Sequence, residues 1–290
     1  MKIFILVDAL RSDYITEKNT PFLYDLANKY FYIKKVKPSL GFCERSEIIS
    51  GLSSEKTGFF TAIGKNNQKS EYINMSKMMV IFFDLTNLIL KKIPVIKVFN
   101  RKLNWSKAFK KAINNLLTNK YNAKMSTYNI PYNQLNNFYL TEDEIDHFSK
   151  KFFSKNSLVN KILSKNIPID YDSWTYLGKK NQMSLNETKE YLLNKSKSNK
   201  NEFVFSYLGS LDVIGHKYGP QSKEMKKELE ELDMFFNKLI ESNKNSTIII
   251  LGDHGMKTIE SYFNIERHII KIKNDFGLKI NQDFNYFIDS

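Results

Sequence analysis

Only four histidines occur in the 290-residue chain, and two of them stand beside aspartates in glycine-bearing segments that follow apolar runs. Asp253 and His254 are adjacent in "IIILGDHGM" (248–256), and Asp212 and His216 lie four apart in "LDVIGHKYGP" (211–220). Imidazole and carboxylate at short spacing form the ligand mix that suits Zn²⁺ and its neighbours in the transition series. A third carboxylate, Asp8, ends the apolar run that opens the chain in "KIFILVDALRSD" (2–13). The expectation is a binuclear metal hydrolase with Asp8, Asp212, His216, Asp253 and His254 as ligands of two divalent ions, zinc by preference.

For one site to form, the elements carrying these residues must end at the same place. Residues 2–7, 202–212 and 246–252 read as buried strands, and in an open parallel sheet ligands collect at the strands' carboxyl ends. Neighbours in a strand point to opposite faces, so Asp253 and His254 converge only if the strand breaks there, which Gly252 and Gly255 favour. The spacing of Asp212 and His216 around Gly215 suggests a loop with a tight turn that aims both at one ion.

Between the strands, residues 19–30 predict a helix with Thr20 as N-cap and Pro21 at its first position, and 31–38 a returning strand. Residues 43–52 predict a short helix closed by Gly51 in the left-handed region. Residues 222–243 predict an amphipathic helix with Leu229, Leu232, Phe235, Phe236 and Leu239 on its apolar face. This alternation implies a three-layer α/β/α sandwich with a mostly parallel central sheet. Residues 65–200 are rich in Lys, Asn and Ser and read as helical over 76–90, 105–119, 142–163 and 183–198. The expected organisation is therefore an α/β metal-binding core of 1–64 and 201–290, interrupted by a helical cap of 65–200.

Forty-four Lys and Arg against thirty-one Asp and Glu give a net charge of +13, which favours anionic partners: phosphate esters, nucleotides, nucleic acid or an anionic membrane surface; the Lys and aromatic content of 65–200 would suit a nucleotide, a nucleotide-sugar or a phospholipid head group. No basic block or nucleic-acid-binding motif accompanies it, so specific nucleic-acid readout is not expected. The single cysteine, Cys43, excludes an internal disulfide. The apolar stretch 78–90 is shorter than the ~18–20 residues of a spanning helix, and the N-terminus enters a strand with no secretory pattern. The expectation from these features is a cytoplasmic protein able to associate with a membrane surface.

"VDALRSD", "GLSSEKTGF", "LDVIGHKYGP" and "IIILGDHGM" resemble the alkaline phosphatase superfamily, in its nucleotide pyrophosphatase/phosphodiesterase branch. The resemblance covers roughly 1–60 and 200–290. It implies an α/β/α sandwich, two metal ions and hydrolysis of phosphodiester or pyrophosphate bonds. By motif position, it implies Asp8, Asp253 and His254 on one metal, and Asp212 and His216 on the other. Sulfatase, phosphomutase and phosphonate hydrolase chemistry on the same scaffold is the alternative, as is a degenerate relative that binds an anion or partner without turnover.

Two positions depart from the family pattern. The family's Thr or Ser nucleophile lies about ten residues ahead of Gly51, where this chain has Gly41. Cys43 is the nearest replacement, ahead of a helix whose dipole would favour a thiolate. Ser39 and Ser46 are further candidates, and a metal-activated water is another attacking group. The family's late ligand, a histidine in an HG-type motif, has no counterpart: His268 follows His254 by only fourteen residues, and His147 sits in a charged helical stretch. The second metal site is therefore expected to be incomplete, and the sequence to be truncated or a fragment.

Overall fold

The computed structural model describes residues 1–36, 44–59, 61, 63–92, 105–121, 130–141, 148, 155–171, 184–195, 201–261, 263–280 and 282–284. In chain order the described strands are β1 (Lys2–Val7), β2 (Ile63–Lys65), β3 (Phe138–Leu140), β4 (Ile169–Tyr171), β5 (Phe203–Leu208) and β6 (Thr247–Gly252). The described helices are α1 (Pro21–Lys29), α2 (Glu44–Ser50), α3 (Ser54–Thr57), α4 (Lys77–Lys92), α5 (Trp105–Tyr121), α6 (Leu158–Ser164), α7 (Leu185–Lys195), α8 (Ser210–Tyr218), α9 (Lys223–Glu241) and α10 (Ile265–Asp275).

Two compact units emerge: Met1–Thr61 with Glu142–Glu260, and Ala62–Thr141 with Ser261–Ser290. The first holds a parallel sheet of order β4-β5-β1-β6. Alternation along β1 divides its side chains between two layers. Ile3, Ile5 and Val7 pack with Leu23 of α1, Leu192 of α7 and the apolar face of α9 (Leu229, Leu232, Phe235, Phe236 and Leu239). Leu6, with Phe4 beside it, packs on the other side with Ile49 of α2, Val159 and Ile162 of α6, and Phe205 of β5. The result is the α/β/α sandwich expected from the alternating pattern. Each fully buried side chain of this size contributes roughly 1.5–3 kcal/mol, which explains why the continuous apolar runs of β1 and β5 sit at its centre.

The second unit pairs β2 with β3 antiparallel. Tyr72, Phe83, Ile113, Leu117, Tyr132 and Leu135 are buried there. Part of the stretch read as a helical cap lies elsewhere: β4 extends the parallel sheet, and α6 and α7 cover it. Three-residue β4 carries too weak a pattern to be seen without its neighbour β5.

Several local expectations hold. Helix α2 ends at Gly51, whose φ of 66° is the left-handed closure. The amphipathic helix expected over 222–243 forms as α9, and Ser222, not singled out in the sequence, caps it by accepting from the Met225 N–H at 3.0 Å. Helix α1 begins at Pro21 as expected, but Thr20 does not cap it: its hydroxyl donates to the Tyr14 carbonyl, 3.0 Å away. The cap comes from α9, where Asp233 accepts from the N–H groups of Phe22 (3.0 Å) and Leu23 (2.9 Å). A buried carboxylate thereby both meets orphan donors and favours the positive end of the helix dipole.

Two elements differ from expectation. Residues 31–36 form no strand and lie exposed, with Phe31 at 91% of full accessibility. Of the helix read over 142–163, only α6 is described as helical, and Phe148 occupies a turn.

Candidate functional site

Strand register creates the site. Parallel pairing sets Val7 opposite Leu208 on one side and Gly252 on the other. One residue further on, Asp8, Gly209 and Asp253 emerge together at the carboxyl edge. The Asp8 N–H continues the ladder by donating to the Leu208 carbonyl at 2.9 Å.

Past Asp8 the backbone turns sharply. Ala9 takes a φ of 59°, a conformation uncommon for a residue with a Cβ. That turn lets the Ala9 N–H donate to Asp253 Oδ1 at 3.1 Å, and the His254 N–H donates to the same oxygen at 2.8 Å. The strain at Ala9 is thus coupled to the orientation of Asp253. Gly252 is required by the same closeness, since a Cβ there would lie 2.2 Å from the Leu10 carbonyl oxygen. Arg11 adds a second tie by donating to the Met256 carbonyl, while its Nε holds Asp13 at 2.8 Å.

The loop expected around Asp212 is instead helix α8, with Asp212 in its first turn and His216 one turn later. Spacing by four fits a helix face as well as a turn, and the local sequence did not separate the two. His216 Nε2 stands 3.4 Å from Asp212 Oδ1 with a side chain 75% exposed. Gly215 serves packing rather than turning: a Cβ there would meet the Met256 sulfur at 2.5 Å.

Ligand atoms of Asp8, Asp212 and His254 all lie within 4.8 Å of one another. His254 Nε2 is 2.9 Å from Asp8 Oδ1. Asp253 is adjacent but turned inward, its side chain fully buried. Two further residues, unforeseen in the sequence, complete the cluster. Arg45 of α2 brings Nη2 to 3.2 Å from Asp8 Oδ2 and 3.9 Å from Asp253 Oδ2. The Tyr207 hydroxyl of β5 donates to Asp8 Oδ2, and the Tyr207 ring lies 5.2 Å beneath the Arg45 guanidinium. Neither carries a local signature, because an Arg in a short helix and a Tyr near a strand end are ordinary surface or core residues until the fold brings them together.

The protonation pattern follows from this crowding. Burial pushes the Asp8 carboxyl up, but His254, Tyr207 and Arg45 together carry it below its ordinary value. Asp253 and Asp212 are raised, first by burial and then by the charge of Asp8. Contact with Asp8 lifts His254 to about 9 against the opposing effect of burial, with the charges of Asp253 and Asp8 assisting. Burial and the Asp8 bond raise Tyr207, which therefore acts as a donor.

This donor set fits a divalent ion. Asp253 Oδ2 is buried and accepts no hydrogen bond from the described residues, and Asp8 Oδ1 is buried against the His254 imidazole, 2.9 Å away. Buried carboxylate oxygens without donors are costly unless a cation meets them. Two carboxylates and an imidazole at this spacing are the ligands zinc takes in catalytic sites.

The other sequence candidates fall elsewhere. Ser46 is buried on α2. His268 is exposed on α10 of the second unit, its ring 4.2 Å from that of Phe263. Ser39, Gly41, Cys43 and His147 lie outside the described residues.

The sandwich and the cluster at its strand ends define an α/β scaffold of the alkaline phosphatase superfamily. A family model described as type I phosphodiesterase / nucleotide pyrophosphatase matches residues 2–282, and the chain belongs to that family. Among curated relatives, GPI ethanolamine phosphate transferase 2 of Yarrowia lipolytica is 45% identical over 60 residues, covering 20% of this chain and 7% of the relative. The human GPI ethanolamine phosphate transferase 3, catalytic subunit, is 41% identical over 56 residues, 19% of this chain and 5% of the relative. An uncharacterized pyrophosphatase/phosphodiesterase of Schizosaccharomyces pombe is 30% identical over 83 residues, 27% of this chain and 16% of the relative. The matched stretch thus spans well under two thirds of each relative.

One expectation is corrected here. The cytoplasmic placement drawn from the N-terminus and the single cysteine is not retained, because relatives found by sequence are named for transfer to GPI, a lipid anchor. Among the described residues no helix is long and apolar enough to cross a membrane.

Proposed function

We propose that this chain breaks phosphodiester or pyrophosphate bonds at a metal-dependent site, as a hydrolase. The observation that carries the proposal is the convergence of Asp8, Asp212 and His254 within 4.8 Å at the strand ends. A divalent ion held there supplies Lewis acidity toward a phosphoryl oxygen and stabilises charge on the entering or leaving oxygen. Asp8 and Asp212 contribute anionic ligands, and His254 a neutral imidazole once it has lost its proton. Asp253 fixes the start of the following loop through the Ala9 and His254 N–H groups and offers its second oxygen to a cation. His216 and Asp212 together make the second, more open pair that a second ion would use. Cys43, one residue before α2, is the proposed protein nucleophile, with water as the alternative.

The substrate class supported by the relatives' names is a phosphate ester carrying a small head group, ethanolamine phosphate among them. Those names also favour a second reading, in which the acceptor is an alcohol and the reaction a transfer. The test is turnover of bis-p-nitrophenyl phosphate by the zinc-loaded chain, with and without an added alcohol such as glycerol. Release of nitrophenol at an unchanged rate with p-nitrophenyl phosphate as the other product supports hydrolysis; a glycerol p-nitrophenyl phosphodiester supports transfer. No turnover under either condition, with zinc bound, rejects the enzyme reading. A Cys43→Ala variant that keeps both zinc and turnover rejects the thiol nucleophile.

A further inference from the structure

Arg45 stands between two buried carboxylates, Asp8 and Asp253. The two oxygens of Asp8 are divided between two neighbourhoods. Oδ1 faces His254 Nε2 at 2.9 Å, while Oδ2 receives both the Tyr207 hydroxyl and the Arg45 guanidinium. Asp253 is divided likewise: Oδ1 accepts two backbone N–H groups, and Oδ2 faces Arg45 at 3.9 Å. The guanidinium therefore lies beside the metal-ligating cluster, within one carboxylate's width of it. Tyr207 supports it from below at 5.2 Å, and Gly209 leaves room for the phenol, since a Cβ there would come within 2.8 Å of the hydroxyl.

We infer that Arg45 is a substrate-binding residue of this site, gripping a non-bridging phosphoryl oxygen beside the Asp8 cluster. The inference rests on the metal-dependent phosphoryl reading above. A phosphoryl group drawn to an ion on Asp8 and His254 lies within reach of a side chain that already hydrogen-bonds Asp8. The planar guanidinium fork matches the oxygens of a phosphate better than a lysine ammonium does. The competing role is that of a scaffold that only neutralises Asp8 and Asp253. The two roles differ in sign. A scaffold's loss disorders the ligands and weakens metal binding, whereas removal of a phosphoryl-binding cation relieves repulsion toward the metal and weakens only anion binding.

The experiment uses the full chain with Arg45→Gln and Arg45→Lys, each checked for folding by its thermal melt. Titration calorimetry first measures Zn²⁺ alone, then inorganic phosphate added to the zinc-loaded protein. In Arg45→Gln, zinc affinity stays equal or rises, and phosphate affinity falls by at least about tenfold, the loss expected for a charge-assisted hydrogen bond. Arg45→Lys, with charge but no fork, recovers only part of it. Phosphate binding unchanged in Arg45→Gln, or zinc and phosphate affinity falling by the same factor, overturns the inference. A wild-type chain that takes up no zinc overturns the metal reading instead. In that case phosphate binding that Arg45→Gln abolishes still upholds Arg45 as the anion site, and phosphate binding that persists, or none in the wild type, overturns it.

Discussion

The two halves of the site are built on different principles. The half that follows β1 and β6 is held by backbone: Asp8 and Asp253 follow aligned strand ends, Ala9 and His254 donate to one carboxylate oxygen, and Gly252 lets its segment approach the Leu10 carbonyl closely. The half on α8 is a helix face, where Asp212 is partly exposed and His216 projects largely into solvent. Buried strand ends are positioned by the whole core, whereas an exposed imidazole is positioned only by its own rotamer and its 3.4 Å contact with Asp212. The difference predicts that the rigidity behind a proposed ligand, and not its identity alone, sets what it contributes to metal binding.

The largest effect expected from this contrast is at Asp8. Asp8→Asn removes the carboxylate shared by His254, Arg45 and Tyr207, and zinc affinity falls by more than about 100-fold, beyond what loss of a supporting partner costs. Elemental analysis of dialysed protein and calorimetric titration measure it. If His216→Ala proves as damaging as Asp8→Asn, the contrast between the halves is wrong.

Acidity gives the next effect. His254 must lose its proton to ligate, and its pKa is raised to about 9. Apparent zinc affinity therefore rises by about tenfold per pH unit up to about pH 9 and then levels. Without metal the sign is reversed: a raised histidine pKa means that pairing with Asp8 stabilises the fold below about pH 6.5, and that this contribution fades as pH climbs to about 9. The gap between the chelator-treated wild type and His254→Gln in thermal melts should narrow across that window. A gap that widens with pH contradicts the assignment.

His216→Ala should lower zinc affinity by less than about tenfold, since an exposed ligand held by one contact gives up little ordered structure. Smallest is the effect of Ala9→Gly. It relieves the left-handed strain by about 1–2 kcal/mol while giving the unfolded chain more freedom worth about 0.5–1 kcal/mol, so stability rises slightly or stays level. Chemical denaturation detects it, and a marked loss of stability would show that the Ala9 methyl packs in a way the turn does not require.

Much of this molecule was legible in the residues alone. Runs such as Lys2–Val7 and Thr247–Gly252 announce strands, and the spacing of Leu229, Leu232, Phe235, Phe236 and Leu239 announces the helix that covers the sheet, but only β1 is the buried strand expected: β6 lies at the sheet edge, none of its residues is buried and Ile249 is exposed. With strand ends and glycines in view, Asp8, Asp253 and His254 follow by position. Tertiary structure decided what local pattern leaves open. It made the Asp212–His216 spacing a helix turn rather than a loop, gave α1 its cap from Asp233 rather than Thr20, and left 31–36 outside the sheet. It also brought Arg45 and Tyr207 onto Asp8 from positions 37 and 199 residues away. Periodicity encodes which face a residue presents. Which distant residue meets that face is set by strand register and by the closing of the core, and no window of sequence contains either.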